Sequence, residues 1–307
     1  MTNNLFNKKV CLDNCTFVKT SLMFFVVLYH SCIFWTGTWS SGQSVAIESN
    51  ILAIFAEWLN TFHIYGFVLV SGYLFFYHMN ETKRYYNYHL FIESKIKRLI
   101  LPYWFVMLVW VAPIAEIVQG YSYRELIVRY FFGTSPNQLW FLWMLFWVFV
   151  IIWPLNNIIK NNFGAFIISV FSWGIGLIGS KVVPNIFCIW SAFNCLPYFI
   201  IGMKFREKSE KAFMKIPTWF LLFVDIVIFM LLQRAENCSG LIARVSTLGL
   251  SYIVRIVGSV VAFLVLQRVA LKMRVGGGKQ IIHIYLKIFY VNIFVPPTNY
   301  LFCDYMA

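Results

Sequence analysis

Long apolar runs separated by short polar stretches make up most of this 307-residue chain. Each run is close to the ~20 residues that an α-helix needs to cross the hydrocarbon core of a bilayer. The pattern therefore predicts an all-α integral membrane protein, a polytopic bundle of about nine to ten transmembrane helices that forms one domain over residues 1–307. The tenth helix would be a short or re-entrant segment within 119–160. The predicted helices, with approximate bounds, are 16–36, 51–77, 99–118, 139–159, 163–180, 186–203, 217–233, 246–267 and 280–302.

The composition supports a membrane environment for these helices. Hydrophobic residues make up 60% of the chain, aromatic residues 20% and charged residues only 12%, which is far from the composition of a soluble domain. The lipid bilayer is therefore the first predicted partner. The first apolar run lacks a small-residue cleavage site, so we interpret it as a retained helix rather than a signal peptide.

The distribution of the 25 lysine and arginine residues predicts that the N-terminus is cytoplasmic. With that orientation most cations lie in cytoplasmic segments, and Arg255 and Lys287 lie within apolar runs. Anionic lipid headgroups and an anionic cytoplasmic ligand account for the net charge of +13, so we expect no nucleic acid partner. The cations that fall in the predicted outer loops are Arg124, Arg129, Lys181, Arg234 and Arg244.

The seven cysteines show no zinc or haem spacing with a nearby histidine, so we expect no metal cofactor. Most of them lie in apolar runs and are interpreted as small hydrophobic residues. Cys238 is an exception, because it falls in a predicted outer loop.

A cation and an imidazole share one face of the first predicted helix. Lys19 and His30 are eleven residues apart, which is about three helical turns and roughly 16 Å along the axis. This spacing places a positive charge near a membrane surface and a titratable base deep in the same helix. Polar groups inside a membrane cost free energy unless they face a protein interior or a wet cavity, so His30 is a candidate functional residue.

Glu57 is predicted to lie at a similar depth in the second helix. A carboxylate there would fix the tautomer of His30 and raise its basicity, as a general base requires. The alternative interpretation is that His30 only hydrogen-bonds a neighbouring helix, and the residues alone leave both open. Asp225 and Arg255, mid-run in consecutive helices, are predicted to form a buried pair that clamps the fold.

Several motifs resemble those of membrane-bound acyltransferase family 3, the family of bacterial O-antigen and other surface-glycan O-acetyltransferases. The pairing of Lys19 with His30 is similar to the family's Arg/Lys-x10-His motif, and Lys95 and Arg98 before Pro102 resemble its Arg-x-x-Arg motif. The other similar stretches, in the family's order, are Phe62-His63 through Ser71-Gly72-Tyr73-Leu74, Leu139-Trp140-Phe141-Leu142, and Pro197-Tyr198-Phe199 with Gly202.

The resemblance implies an O-acyltransferase of the bacterial cytoplasmic (inner) membrane. Its donor substrate would be cytoplasmic acyl-CoA, usually acetyl-CoA, and its glycan acceptor a hydroxyl of a cell-surface polysaccharide or lipid-linked precursor. It implies that Lys19, Lys95 and Arg98 bind the phosphates of the donor, and that His30 is the general base or carries the acyl group. The second function class is a polytopic transporter or flippase for a glycan or lipid-linked sugar, although the sequence shows no internal repeat.

Overall fold

A computed structural model describes residues 2–36, 49–120, 122–132, 139–209 and 215–275. These residues are almost entirely helical, and no strand occurs among them. The α-helices are α1 (Thr2–Cys32), α2 (Asn50–Phe76), α3 (Tyr88–Lys95), α4 (Leu101–Val106), α5 (Ala112–Gln119), α6 (Tyr123–Phe131), α7 (Trp140–Ile159), α8 (Asn162–Val182), α9 (Ile189–Lys204), α10 (Thr218–Glu236) and α11 (Leu241–Val275).

Eight apolar helical segments of the described chain are long enough to cross a membrane. They correspond one to one to the first eight predicted segments and confirm an all-α polytopic membrane protein. The ninth predicted helix, 280–302, lies outside the described residues. The eight segments are Leu12–Thr36, Asn50–Glu81, Tyr88–Ile117, Trp140–Ile159, Asn162–Val182, Ile186–Glu207, Thr218–Glu236 and Arg244–Met273.

The third segment begins about three turns earlier than predicted. The apolar pattern starts near 99, but the chain is already helical from Tyr88, where the Asn87 side chain caps the helix by accepting a hydrogen bond from the Leu90 backbone at 3.2 Å. Hydropathy misses this part because it is rich in polar residues. Two π-helical turns, Ile96–Ile100 and Met107–Val111, lie just before Pro102 and Pro113. Proline has no backbone N–H to donate, and the wider turns let the helix continue past it.

The described chain forms two compact units. Unit 1 combines the chain up to Leu74 with the chain from Lys204 onward, and unit 2 comprises Phe75–Met203. In unit 1, helices α1 and α10 both pack against α11. In unit 2, the rings of Phe149 and Phe199 meet edge to face with centroids 5.4 Å apart inside a buried aromatic core. The predicted single domain over 1–307 stays a prediction.

Candidate functional site

The first predicted site pair lies on one continuous helix of unit 1. Lys19 and His30 both belong to α1, which confirms the predicted helix between them. Both side chains are half-buried, so neither is sealed inside the unit. Helix α1 therefore carries a cation and an imidazole along its length, as the spacing indicated.

A second imidazole and a phenol ring lie next to His30. The ring of Tyr29 lies 5.1 Å from that of His30 and 4.7 Å from that of His63, measured between centroids. His63 belongs to α2, so the Tyr29 ring lies against one imidazole from each of two helices. We call Tyr29, His30 and His63 the imidazole cluster.

His63 is held in one tautomer by its own helix. Its ring is fully buried, and its Nδ1 lies 2.7 Å from the backbone oxygen of Leu59. Because a carbonyl oxygen only accepts, Nδ1 carries the proton and donates it, which leaves the lone pair on Nε2. Nε2 is buried and has no hydrogen-bond partner among the described residues. His63 thus presents a fixed acceptor inside the imidazole cluster.

From the sequence, His63 was named only within one of the stretches that resemble the family, and it was not predicted as a site residue. Its position relative to Glu57 carried a usable signal. The two residues are six positions apart on α2, so they point about 120° apart around the helix axis. If one of them meets α1, the other does not.

Glu57 forms a hydrogen bond that the sequence did not suggest. Its Oε2 accepts a hydrogen bond from Gln233 Nε2 at 2.9 Å, and Gln233 lies on α10. Helix α2 therefore presents Glu57 to α10 and His63 to the imidazole cluster, as the angle between the two positions requires. A catalytic role for Glu57 stays a prediction.

The predicted pair of Asp225 with Arg255 is wrong. Asp225 is 2% exposed, and its Oδ2 accepts a hydrogen bond from Trp58 Nε1 at 2.9 Å. The guanidinium of Arg255 lies over the Tyr65 ring, 5.1 Å from its centroid. Each charged side chain thus contacts an aromatic residue of α2, and these contacts serve the packing of unit 1.

In unit 2, Lys95 lies inside an aromatic pocket rather than at the surface. The residue is 5% exposed. Its ammonium lies 4.1 Å from the ring centroid of Phe149, 4.7 Å from that of Tyr85 and 5.3 Å from that of Phe91. Nζ also donates a hydrogen bond to the Tyr85 hydroxyl at 3.2 Å.

Arg98 is connected to the same hydroxyl. Its guanidinium donates a hydrogen bond to Tyr85, and its own side chain is half-buried. Burial raises the pKa of the Tyr85 phenol, and the positive charges of Arg98 and Arg84 oppose this rise. The phenol therefore keeps its proton at neutral pH. Lys95 and Arg98 converge on Tyr85, whereas Lys97 is exposed and pairs with Glu93 on the same helical surface at 2.5 Å.

The predicted site residues thus fall into two sets. His30, Glu57 and Lys19 belong to unit 1, and Lys95 and Arg98 belong to unit 2. Within the described part of the chain, no three histidine, cysteine, aspartate or glutamate side chains form a group that could hold a metal ion.

The acyltransferase family 3 model, described as an acyltransferase domain, matches residues 14–291. The matched region includes all of the predicted site residues and extends over most of the chain. No curated protein matches the sequence, and no solved structure matches it.

Proposed function

The chain belongs to acyltransferase family 3, and from this premise we propose that it transfers an acetyl group from cytoplasmic acetyl-CoA to a hydroxyl of a surface polysaccharide or its lipid-linked precursor. The general activity of an integral membrane acyltransferase follows from the family and from the eight apolar helices. The donor, the acceptor, the role of His30 and a bacterial inner-membrane location are the parts that we propose.

The observation that carries the proposal is the imidazole cluster within a membrane-spanning helix pair. A hydroxyl is a poor nucleophile until a base removes its proton, and histidine is suited to this near neutral pH. In the proposed step, His30 takes the proton of the acceptor hydroxyl while the hydroxyl oxygen attacks the thioester carbonyl. The carbon–sulfur bond then breaks, and coenzyme A leaves as the thiol after it receives that proton from His30.

A covalent route uses the same residue in a different role. In that route, the His30 imidazole attacks the thioester carbonyl, the carbon–sulfur bond breaks, and coenzyme A leaves as the thiol with the proton that the acylated ring loses. The acceptor hydroxyl then attacks the acyl group, the bond to the ring nitrogen breaks, and the hydroxyl proton returns to the imidazole. The two routes differ in whether an acylated enzyme forms in the absence of acceptor. Rapid mixing of the protein with acetyl-CoA in the absence of acceptor distinguishes them, because the covalent route predicts a burst of one coenzyme A thiol per protein and the direct route predicts none.

His63 has a supporting role in this proposal. Its Nε2 is a buried acceptor whose direction is fixed by the hydrogen bond from Nδ1 to Leu59. The rings of His63 and His30 both lie against the ring of Tyr29. Such an acceptor is suited to orient a donor group in the cluster. We therefore place His63 in the role for which the sequence suggested Glu57.

The proposed donor carries several phosphate charges, which need cations. The resemblance assigns this role to Lys19, Lys95 and Arg98. Arginine and lysine are the side chains that bind phosphates most strongly, and arginine can do so through two parallel hydrogen bonds. The half-buried state of Lys19 and Arg98 leaves part of each side chain accessible to a ligand.

The donor and acceptor are tested in membranes that contain the chain. Acetyl-CoA labelled in the acetyl group is compared with coenzyme labelled in the adenine ring, and membranes without the chain serve as the control. We expect acetyl label in the glycan fraction, released by mild alkali as an ester requires, and no adenine label. Movement of a lipid-linked sugar across the membrane without acetyl incorporation would instead favour the transporter.

A further inference from the structure

The environment of Lys95 differs from the one that its sequence context suggests. It stands in a basic run with Lys97 and Arg98, and the family resemblance implies that it binds a phosphate of the donor directly. The structure instead surrounds its ammonium with Phe149, Tyr85 and Phe91. Removing a lysine charge from water is costly, and aromatic faces and a hydroxyl acceptor offset part of that cost.

The Tyr85 hydroxyl is the point where Lys95 and Arg98 meet. It accepts hydrogen bonds from both side chains. Tyr85 itself is 4% exposed, and its backbone oxygen accepts a hydrogen bond from Trp153 Nε1 at 2.8 Å. Tyr85 is therefore held by hydrogen bonds at both ends, through its backbone oxygen and through its hydroxyl. A fixed Tyr85 hydroxyl restricts the directions that the Arg98 guanidinium can take.

The two cations differ in what they can offer a ligand. The ammonium of Lys95 is occupied by rings and by a hydroxyl, and its side chain has almost no accessible surface. Arg98 is half-buried, and a guanidinium has five N–H donors, so it has the capacity to bond to Tyr85 and to an anion at the same time. Binding a phosphate directly would require Lys95 to leave its aromatic pocket.

We propose that Lys95 is a positioning residue, which acts through the Tyr85 hydroxyl to orient Arg98 toward a phosphate of the acyl donor. This inference rests on the proposed function, because it assumes that the donor is a coenzyme A thioester. It changes the role of Lys95 from a direct ligand to a support. It also adds Tyr85, which no sequence motif singled out, to the donor site.

The test measures binding of tritiated coenzyme A to the purified full-length protein in lipid nanodiscs. The variants are Lys95→Met, Tyr85→Phe and Arg98→Gln, together with the double variant of Lys95→Met and Arg98→Gln. Lys97→Met is the matched control, because Lys97 lies two residues after Lys95 and its side chain is exposed. The substitution therefore removes the same charge from outside the aromatic pocket. Thermal unfolding of each variant reports whether the fold is intact.

We expect Arg98→Gln to raise the Kd about tenfold, and Lys95→Met and Tyr85→Phe to raise it about threefold each. Lys97→Met is expected to leave it unchanged. The double variant is expected to bind as weakly as Arg98→Gln alone, because Lys95 has no effect once its target is gone. Tyr85→Phe is informative even where Lys95→Met fails to fold, since it keeps the ring and removes only the hydroxyl.

Two results would overturn the inference while leaving the proposed function intact. One is wild-type affinity in Tyr85→Phe. The other is a double variant whose loss equals the two single losses multiplied together, which is the behaviour of two independent phosphate ligands. A wild-type protein that binds no coenzyme A at all would instead count against the proposed donor itself.

Discussion

At the scale of single residues, the candidate site depends on two histidines that differ in burial and in how far their side chains can move. His63 is fully buried and tied to the Leu59 carbonyl, whereas His30 is half-buried. A half-buried imidazole can reach a substrate, and a fully buried one can direct a hydrogen bond but cannot move far. This difference suits His30 to react and His63 to orient.

Replacing His63 with asparagine separates its two hydrogen-bonding positions. The asparagine amide N–H2 takes the place of Nδ1 and keeps the bond to Leu59, but nothing replaces Nε2. We expect His63→Asn to reach the membrane at wild-type level and to lower kcat by about 10- to 100-fold. The KM for acetyl-CoA is expected to stay unchanged, because the residues proposed to bind the donor phosphates lie outside this cluster.

The steady-state rate of labelled acetyl transfer, measured over a range of acetyl-CoA concentrations, checks this prediction. His63→Gln is the complementary variant, because its amide lies near the position of Nε2 and it should retain more activity. Wild-type kcat in His63→Asn would show that the residue only packs.

Residue partners were the least predictable part of the site. Hydropathy placed His30 and Glu57 at similar depth, but depth does not fix direction around a helix. Glu57 contacts Gln233. This pairing depends on how α2 and α10 are rotated relative to each other, which the sequence pattern of a single helix does not determine. The aromatic pocket of Lys95 was likewise not predictable, because the rings that enclose its ammonium come from a preceding loop and from α7 as well as from α3.

At the scale of elements, the apolar runs alone were sufficient to locate eight helices. A membrane-spanning helix must satisfy all backbone groups internally and present apolar side chains to lipid, so its sequence pattern is strong. The start of the third segment was missed because residues 88–98 are polar and are held by local capping and by Tyr85. Such contacts depend on tertiary structure rather than on hydropathy.

Close packing of α8 and α9 in unit 2 depends on a glycine. A Cβ added to Gly176 would lie 2.5 Å from Oδ1 of Asn194 and 2.9 Å from its backbone nitrogen, so the helices would have to move apart. We expect Gly176→Ala to lower the free energy of unfolding by about 1–3 kcal/mol. Thermal unfolding of the purified protein, followed by tryptophan fluorescence, measures the change.

Gly174→Ala is the matched control on the same helix. A Cβ at Gly174 would meet nothing within 4 Å. Alanine also has a higher helix propensity than glycine, so the control should be neutral or slightly stabilising. Equal unfolding temperatures for the two variants would contradict the close approach at Gly176.

At the scale of the whole molecule, the charge distribution predicts the orientation of the chain in the membrane. The cationic segments are expected on the cytoplasmic side, where acyl-CoA is found, and the loop between α10 and α11 on the opposite side. Cys238 lies in that loop and is exposed. The side of the membrane on which its thiol reacts therefore reports the orientation.

We expect a membrane-impermeant maleimide added to intact cells to label Cys238. The comparison with Cys238→Ser isolates its contribution from that of the other cysteines. Labelling that is lost in Cys238→Ser confirms an outer position for the loop. Labelling of Cys238 that requires permeabilised cells would reverse the orientation and place the donor-binding cations on the wrong side for cytoplasmic acyl-CoA.

The most direct test of the central claim is the rate of acetyl transfer from labelled acetyl-CoA to the glycan fraction in membranes that contain equal amounts of wild type, His30→Ala or His89→Ala. His89 is an exposed histidine at the start of α3 and serves as the control. We predict a loss of at least about 100-fold for His30→Ala and an unchanged rate for His89→Ala. A wild-type rate in His30→Ala would contradict the assignment of the reaction to the imidazole cluster.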